Sequence, residues 1–290
     1  MTLLAAWKRA AGQLSRAGVE TPAIDARVLI EAAAGVGRAD ILTDPSRRLD
    51  AAAADRLEGF VDRRARREPV SQILGRKSFW TFDLRVTRDV LTPRPETETL
   101  VEAGLEAAPA GAAVRLLDLG VGSGAVALAI LAERPNADGV GVDISEAALR
   151  VARANASALG LAERLSLVRA DWGAALAAEA FDLVVCNPPY IPTAEIADLD
   201  PEVRDHEPSL ALDGGADGLD GFRRLAPEAL SLLAPGGAFA FEVGMGQARA
   251  VAELCRAAGA ENLRIRLDLE HRERVVAGRK KGLGMRWSNR

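Results

Sequence analysis

The feature that most constrains the fold is a regular alternation, from Val114 onward, of short apolar runs with amphipathic helical stretches. Such alternation is typical of a parallel sheet whose strands are joined by crossover helices. It predicts an α/β fold, a doubly wound Rossmann-like sheet with helices on both faces. The predicted strands lie at about residues 114–119, 138–143, 165–169, 181–186, 237–243, 263–268 and 273–278.

The N-terminal part of the chain has a different character. It is rich in alanine, leucine and arginine, and apolar residues such as Trp7 and Leu14 recur at helical spacing. Aromatic and alternating apolar residues then indicate a short hairpin. We therefore expect an N-terminal helical domain at 1–70, a hairpin linker at 71–92 and the α/β domain at 93–290.

Composition excludes several classes of protein. The chain has 290 residues, of which 49% are apolar and 27% charged, so it can bury a substantial core. Two cysteines and two histidines rule out a disulfide framework, and they give no zinc site without carboxylate ligands. The net charge of −4 argues against a protein that coats nucleic acid. No apolar run reaches the roughly 18 residues of a membrane span, so we expect a cytoplasmic protein. The small number of cysteines and histidines leads us to expect no metal site.

A glycine-rich turn follows the first predicted strand of the sheet. Gly120-Val121-Gly122-Ser123-Gly124 leads directly into a helix, and glycines there let a ligand approach the backbone and the helix-end amides. Asp143 ends the next strand, where a carboxylate can accept hydrogen bonds from ribose hydroxyls. The alternative role for Asp143 is to cap the helix after Ser145. The pattern predicts a nucleoside cofactor, and nicotinamide dinucleotides satisfy it as well.

Asp171 and Trp172 follow the third predicted strand. The carboxylate could accept a hydrogen bond from an adenine amino group, and the indole could pack on the adenine ring. A tryptophan in this position is equally compatible with core packing. Both residues are candidate cofactor contacts.

The tetrad Asn187-Pro188-Pro189-Tyr190, at the end of the fourth predicted strand, is the most informative motif. Its prolines stiffen the turn and remove backbone donors. The side-chain oxygen of Asn187 and the carbonyl of Pro188 could accept both hydrogens of a planar NH2 group, on which Tyr190 could stack. Such a grip suits an amide or adenine nitrogen, because its delocalised lone pair must be steered toward an electrophile. We identify Asn187, Pro188 and Tyr190 as candidate catalytic residues.

Together these motifs resemble those of class I methyltransferases dependent on S-adenosylmethionine, and within them the release factor glutamine methyltransferases, the PrmC/HemK family. The similarity covers most of the chain. Besides the tetrad, it rests on the segments Pro93 to Glu98, Glu207-Pro208, Ala211 to Leu219 and Phe241 to Gly244. A helical N-terminal module joined through a hairpin is also similar to that family. The resemblance implies a seven-stranded methyltransferase sheet.

The resemblance also implies roles for individual residues. Gly120 to Gly124, Asp143, Trp172 and Asn187 would contact S-adenosylmethionine, and Asn187, Pro188, Pro189 and Tyr190 would hold the substrate glutamine. The substrate implied is the glutamine of the Gly-Gly-Gln motif in class 1 peptide chain release factors, methylated on its side-chain nitrogen N5.

Family members use their N-terminal helices to hold the release factor. Four arginines, Arg63, Arg64, Arg66 and Arg67, are therefore a candidate docking surface for an acidic protein. Their alternative role is a solvated last helical turn.

Several alternatives remain open. The tetrad suits any planar NH2 group, so an adenine-N6 methyltransferase of DNA or RNA is the nearest competitor, although the acidic catalytic half of the chain argues against a nucleic-acid substrate. A glutamine methyltransferase that acts on a ribosomal protein is a second. The glycine turn alone would also permit a nicotinamide-dependent oxidoreductase or a binding-only protein. Near the end of the chain, His271 departs from the family pattern and we expect it at the surface, followed by a basic tail.

Overall fold

The computed structural model describes residues 1–282, which form two compact units. One unit comprises Met1–Arg76 together with Asp200–His206. The other comprises Lys77–Leu199 and the chain from Glu207 onward. None of the helices in residues 1–282 is long and apolar enough to cross a membrane.

Eleven α-helices occur in the described part of the chain, and the first six precede the seven-stranded sheet. In chain order they are α1 (Leu3–Arg16), α2 (Pro22–Ala34), α3 (Arg38–Thr43), α4 (Ala51–Ala65), α5 (Val70–Leu74), α6 (Glu98–Ala107), α7 (Ala125–Glu133), α8 (Glu146–Ala158), α9 (Pro201–Arg204), α10 (Asp220–Leu232) and α11 (Ala248–Ala257).

The same residues contain nine β-strands. They are β1 (Arg76–Phe79), β2 (Phe82–Arg85), β3 (Arg115–Leu119), β4 (Asp138–Asp143), β5 (Leu165–Arg169), β6 (Phe181–Cys186), β7 (Leu233–Glu242), β8 (Ala260–Leu267) and β9 (Glu273–Lys280). Strands β1 and β2 form the two-stranded hairpin expected from the sequence. The seven predicted strands of the sheet correspond to β3–β9 and are confirmed.

The helical unit is built from amphipathic helices with defined ends. Asp50 caps α4 by accepting a hydrogen bond from the Ala53 amide at 2.6 Å. Leu14 of α1, Leu29 of α2 and Leu57 of α4 are buried in one cluster. Each of these helices therefore turns one apolar stripe inward, and the unit has its own core.

Three of the four arginines at the end of α4, Arg63, Arg64 and Arg67, pair with carboxylates of the helical unit, so a solvated last turn is wrong for them, whereas Arg66 is exposed as that role expects. Arg64 is buried and pairs with Asp25 at 2.7 Å and with Glu202 at 2.8 Å. Arg67 also pairs with Glu202, and Arg63 pairs with Glu68. Burial alone would raise the pKa of Glu202, but hydrogen bonds from Arg67 and Arg64 lower it to about 2. Arg64 and Arg67 hold the 200–206 segment within this unit through Glu202, and docking of an acidic protein at the four arginines stays a prediction.

The large sheet has the strand order β5-β4-β3-β6-β7-β9-β8. Its first five strands are parallel, whereas β9 runs antiparallel to β7 and β8. The expectation of an all-parallel sheet is therefore wrong at this edge. Only residues 268–272 connect β8 to β9, which is too short for a crossover helix, so the two strands form a hairpin. His271 lies in this turn and is exposed, as expected.

Helices cover both faces of the sheet, and alternate residues of its central strands face the two layers. Leu116 of β3 belongs to the apolar cluster that includes α6, α7 and α8. The next residue, Leu117, belongs to the cluster that includes Phe222 of α10 and Val251 of α11. This confirms the doubly wound architecture. Part of the basic tail noted in the sequence, Arg286 and Arg290, lies outside the described residues.

Candidate active site

The loops that carry the predicted site residues meet at one edge of the sheet. Leu119, the last residue of β3, is in register with Val142 of β4 on one side and with Cys186 of β6 on the other. The glycine turn, Asp143 and Asn187 therefore emerge side by side. The chain leaves β3 toward β4 and later returns to β6, so this is a topological switch point, where open α/β sheets bind ligands.

A cavity of about 520 Å³ opens at this edge. That volume is within the range of small-molecule sites. Ten of the twelve residues predicted for cofactor or substrate line it: Gly120, Val121, Gly122, Ser123, Asp143, Asp171, Trp172, Asn187, Pro188 and Pro189. The structure does not bring Gly124 or Tyr190 to the cavity wall.

The three glycines of the turn have different roles. All have positive φ angles, 76° at Gly120, 53° at Gly122 and 85° at Gly124. Residues with a Cβ rarely adopt this backbone conformation. A Cβ built on Gly120 or Gly122 would find its nearest neighbour 3.9 to 4.0 Å away, so these two leave open space. A Cβ on Gly124 would come within 2.9 Å of Leu128 Cδ1. Gly124 therefore serves the packing of α7.

Asp143 is tied to the glycine turn. Its Oδ2 accepts a hydrogen bond from the Gly122 amide at 3.0 Å, and its Oδ1 accepts one from the Ser145 amide at 2.9 Å. The N-cap of α8 is Ser145, whose hydroxyl accepts a hydrogen bond from Ala148. The helix-capping role considered for Asp143 is therefore wrong. Each carboxylate oxygen keeps a second lone pair for a ligand.

Asp118 is a cavity residue that sequence reasoning missed. It lies one residue before the end of β3, is 3% exposed and accepts a hydrogen bond from the Ala127 amide at 3.1 Å. Burial raises the pKa of Asp118 to about 7, against the opposing effect of that hydrogen bond. The signal was present in the sequence as a single carboxylate inside an otherwise apolar strand.

Asp171 and Trp172 lie on the cavity wall beyond β5. Trp172 has a positive φ of 53°, packs against the apolar cluster of α10 and α11 and also lines the cavity, so the core packing considered for it is confirmed and its contact with adenine stays a prediction. The exposed Asp171 accepts a hydrogen bond from Arg224 Nη2 at 3.0 Å. Arg224 also lines the cavity and is a further residue that the sequence did not indicate.

The side chain of Asn187 is held by a residue of the segment that precedes α6. Its Nδ2 donates to the Thr97 hydroxyl at 3.5 Å, the outer limit of a hydrogen bond. Thr97 ends a short 3₁₀ turn, Pro95–Thr97, and is buried. Because the amino end of the carboxamide is directed to Thr97, the Asn187 oxygen is left for the cavity that Asn187 and Pro188 line.

Tyr190 lies behind the cavity rather than in its wall. Its ring packs against the cluster of α10 and α11, and burial raises the pKa of its hydroxyl, so the side chain stays neutral. Its carbonyl accepts a hydrogen bond from Gln247 Nε2 at 2.9 Å. The Gly214 amide donates to the next carbonyl, that of Ile191, at 2.8 Å. Tyr190 therefore anchors the turn.

We expect Gly214→Ala to disturb this turn. A Cβ on Gly214 would lie 2.8 Å from the Tyr190 backbone, a contact that real Cβ atoms do not make. Relief requires movement of the Asn187–Tyr190 segment, and we expect a loss of about 1–3 kcal/mol in the free energy of unfolding, together with reduced activity. Chemical denaturation measures the first. Gly59→Ala, in a site with nothing within 4 Å, is the matched control and should not destabilise the protein.

Two of the sequence motifs meet beside the cavity. Arg94 Nη2 donates to Glu207 Oε2 at 2.8 Å, and the Glu207 side chain is 1% exposed. Burial raises the pKa of Glu207, and the charge of Arg94 opposes that rise. Arg94 and Pro208 both line the cavity. The pair thus ties the segment before α6 to the segment that follows Asp200–His206.

Comparison with known proteins places the chain in a family. Residues 5–75 match the family described as the PrmC N-terminal domain, and residues 97–199 match the methyltransferase small domain. A methyltransferase structure from Pyrococcus furiosus shares the fold, with a TM-score of 0.54 at 17% identity over 76% of this chain and 98% of that one.

Curated relatives cover nearly the whole chain. A release factor glutamine methyltransferase from Caulobacter vibrioides is 54% identical over 98% of both chains. One from Rhodospirillum rubrum is 50% identical over 95% of this chain and 84% of the relative. With this identity over almost the full length, the chain belongs to the family of release factor glutamine methyltransferases.

Proposed function

We propose that this protein transfers a methyl group from S-adenosylmethionine to the side-chain nitrogen N5 of the glutamine in the Gly-Gly-Gln motif of class 1 release factors. The observation that carries the proposal is the meeting of two loops in one cavity. The glycine turn after β3 is typical of a nucleoside site, and the Asn187-Pro188 turn after β6 offers acceptors for a planar NH2 group. Because release factors act on ribosomes, the proposal implies a cytoplasmic enzyme.

The residues present fit the proposed cofactor. Gly120 and Gly122 leave space beside the backbone, and Asp143 keeps free lone pairs for ribose hydroxyls. Trp172 offers a flat apolar surface for adenine, and Asp171 lies next to it with a carboxylate for the adenine amino group. When bound, S-adenosylmethionine supplies an electrophilic methyl group on a sulfonium.

The chain itself supplies orientation. The Asn187 oxygen and the Pro188 carbonyl accept the two hydrogens of the glutamine NH2 group, so its lone pair is held toward the reacting carbon. Alignment of this kind can contribute about 7–11 kcal/mol to lowering a barrier. Pro188 and Pro189 cannot donate backbone hydrogen bonds, so nothing in the turn competes for the acceptors. Tyr190 fixes the turn from behind, and no strongly basic side chain is required.

The decisive experiment is mass spectrometry of a release factor after incubation with this protein and S-adenosylmethionine. We expect a gain of one methyl group on the Gly-Gly-Gln peptide. A release factor with glutamate in place of that glutamine is the control and should gain none. Methyl transfer to a ribosomal protein, or to adenine in DNA or RNA, with none to the release factor would overturn the proposal.

A further inference from the structure

Glu242 is a buried carboxyl group with no role in the mechanism above. It ends β7 and is 1% exposed. Its Oε2 has no hydrogen-bond partner within residues 1–282. Burying a carboxyl group with one unpaired oxygen costs folding free energy. Such a group beside a cavity is therefore a candidate for a functional role.

The register of the sheet brings Glu242 beside Asn187. Cys186 of β6 pairs with Phe241 of β7 in parallel register, so one residue further along Asn187 and Glu242 are neighbours. Paired residues of parallel strands place their side chains on the same face. The side chains of Asn187 and Thr97 are the hydrogen-bonding neighbours of the carboxyl group. Asn187 and Thr97 line the cavity and Glu242 does not, so the carboxyl group supports them from behind.

We propose that Glu242 is a positioning residue that holds the Asn187 carboxamide with its NH2 group inward and its oxygen toward the substrate. A carboxylate is only an acceptor, so it attracts the NH2 end of Asn187 and repels the oxygen end. The Thr97 hydroxyl, which accepts from Asn187 at 3.5 Å, can donate its own hydrogen to the carboxylate. This inference rests on the proposed function, in which the Asn187 oxygen must face the substrate NH2 group.

Protonation of Glu242 would weaken its preference for the NH2 end of the Asn187 carboxamide. Burial raises the pKa of Glu242 to about 7, and Thr97, Arg274 and Asn187 act in the opposite direction. A protonated carboxyl group can donate to the Asn187 oxygen and so permits the reversed carboxamide, in which the NH2 group faces the substrate NH2. We therefore expect the productive orientation to be favoured as the pH rises through about 7.

Other groups face Glu242 from the surrounding elements. They are the guanidinium of Arg274 on β9, the carboxylate of Glu96 and hydroxyl of Thr97 before α6, Cys186 at the end of β6, and Tyr190. Burial raises the pKa values of Cys186 and Tyr190, so both stay neutral near pH 7. Asp118, near Cys186, also has a pKa raised by burial to about 7 and must be distinguished from Glu242 by substitution.

The first test needs no substrate. The side-chain NH2 resonances of Asn187, identified by their loss in Asn187→Ala, are followed by NMR from pH 6 to 8. We expect them to shift with a midpoint near pH 7 in the parent protein and to lose that midpoint in Glu242→Gln. Glu253→Gln, on the exposed face of α11, is the control and should leave the titration unchanged. An unchanged midpoint in Glu242→Gln would assign the titration to another group, such as Asp118, and overturn the proposal.

The second test is kinetic. At pH 8 we expect Glu242→Gln to lower kcat for the release factor about 10-fold, with the dissociation constant for S-adenosylhomocysteine within about 2-fold of the parent. At pH 6 the two enzymes should converge. Glu242→Asp should keep the pH dependence at a lower kcat. Equal losses at both pH values together with a lower Tm would indicate a merely structural role and overturn the proposal. If the parent does not methylate the factor, the proposed function fails, and the NMR titration still decides the role of Glu242.

Discussion

Asn187→Ala is expected to lower kcat for the release factor by about 100- to 1,000-fold, the range found when one preorganised hydrogen-bonding group is removed from an active site. Asn187 lines the cavity beside Pro188, and its Nδ2 is occupied by Thr97, so its oxygen is the acceptor that the substrate NH2 group would meet. With that acceptor absent, one hydrogen of the NH2 group is free and the lone pair is no longer aimed. Because this interaction gains strength as the nitrogen reacts, kcat should fall more than substrate affinity.

The cofactor should bind the variant almost as well as the parent, because the glycine turn and Asp143 are unchanged. Steady-state kinetics gives kcat, and calorimetry with S-adenosylhomocysteine gives the dissociation constant, expected within a few-fold of the parent. Asn136→Ala, which removes an exposed asparagine that donates to Gly111, is the matched control and should leave both values unchanged. Turnover equal to that of the parent would exclude Asn187 from the grip on the substrate.

The architecture of the sheet could be predicted from the sequence because its signal is local. Each of the seven apolar runs predicted as strands is bounded by polar or glycine-rich segments, and each corresponds to a strand of the sheet. The direction of β9 was missed, since strand direction depends on the length of the connection and not on the strand itself. Five residues between β8 and β9 force a hairpin, and that turn has no strong sequence signature here.

The cavity was predictable to the extent that strand ends determine it. Residues immediately after β3, β4, β5 and β6 must gather at one edge of the sheet, and most of the predicted residues do so. The remaining features depend on pairing across long distances in the chain. Arg94 meets Glu207 and Glu242 lies beside Asn187 only because the sheet and its loops bring them together. Tyr190, expected in the cavity, is drawn into the core by its apolar ring.

The arginines at the end of α4 illustrate the same limit. In the sequence they form a run of cations that could bind an acidic partner or be solvated. In the folded unit, Asp25 and Glu202 neutralise Arg64, and Glu202 comes from a segment more than 130 residues later in the chain. A cluster of cations in a sequence therefore does not by itself predict a binding surface, because carboxylates from distant parts of the chain can pair with it in the fold.

Asp143→Ala is expected to weaken the binding of S-adenosylhomocysteine about 100-fold. In the proposed complex the carboxylate accepts two ribose hydroxyls, and hydrogen bonds to a charged group contribute roughly 1.5–3 kcal/mol each, so the loss of about 3 kcal/mol is a conservative sum. The substitution also removes the acceptors of the Gly122 and Ser145 amides, which loosens the turn that approaches the cofactor. At saturating cofactor, kcat should change little, because Asp143 lies at the end of β4 while the NH2 acceptors lie at the end of β6.

Calorimetric titration of the parent and Asp143→Ala measures this loss directly. Asp138→Ala is a matched control, because Asp138 begins the same strand at its opposite, exposed end and should leave the dissociation constant unchanged. Asp143→Asn separates charge from shape: its amide offers one acceptor instead of two and directs an NH2 group at an amide hydrogen, so it should bind nearly as weakly as the alanine variant. An unchanged dissociation constant in both Asp143 variants would remove this carboxylate from the ribose and leave it only the task of holding the glycine turn.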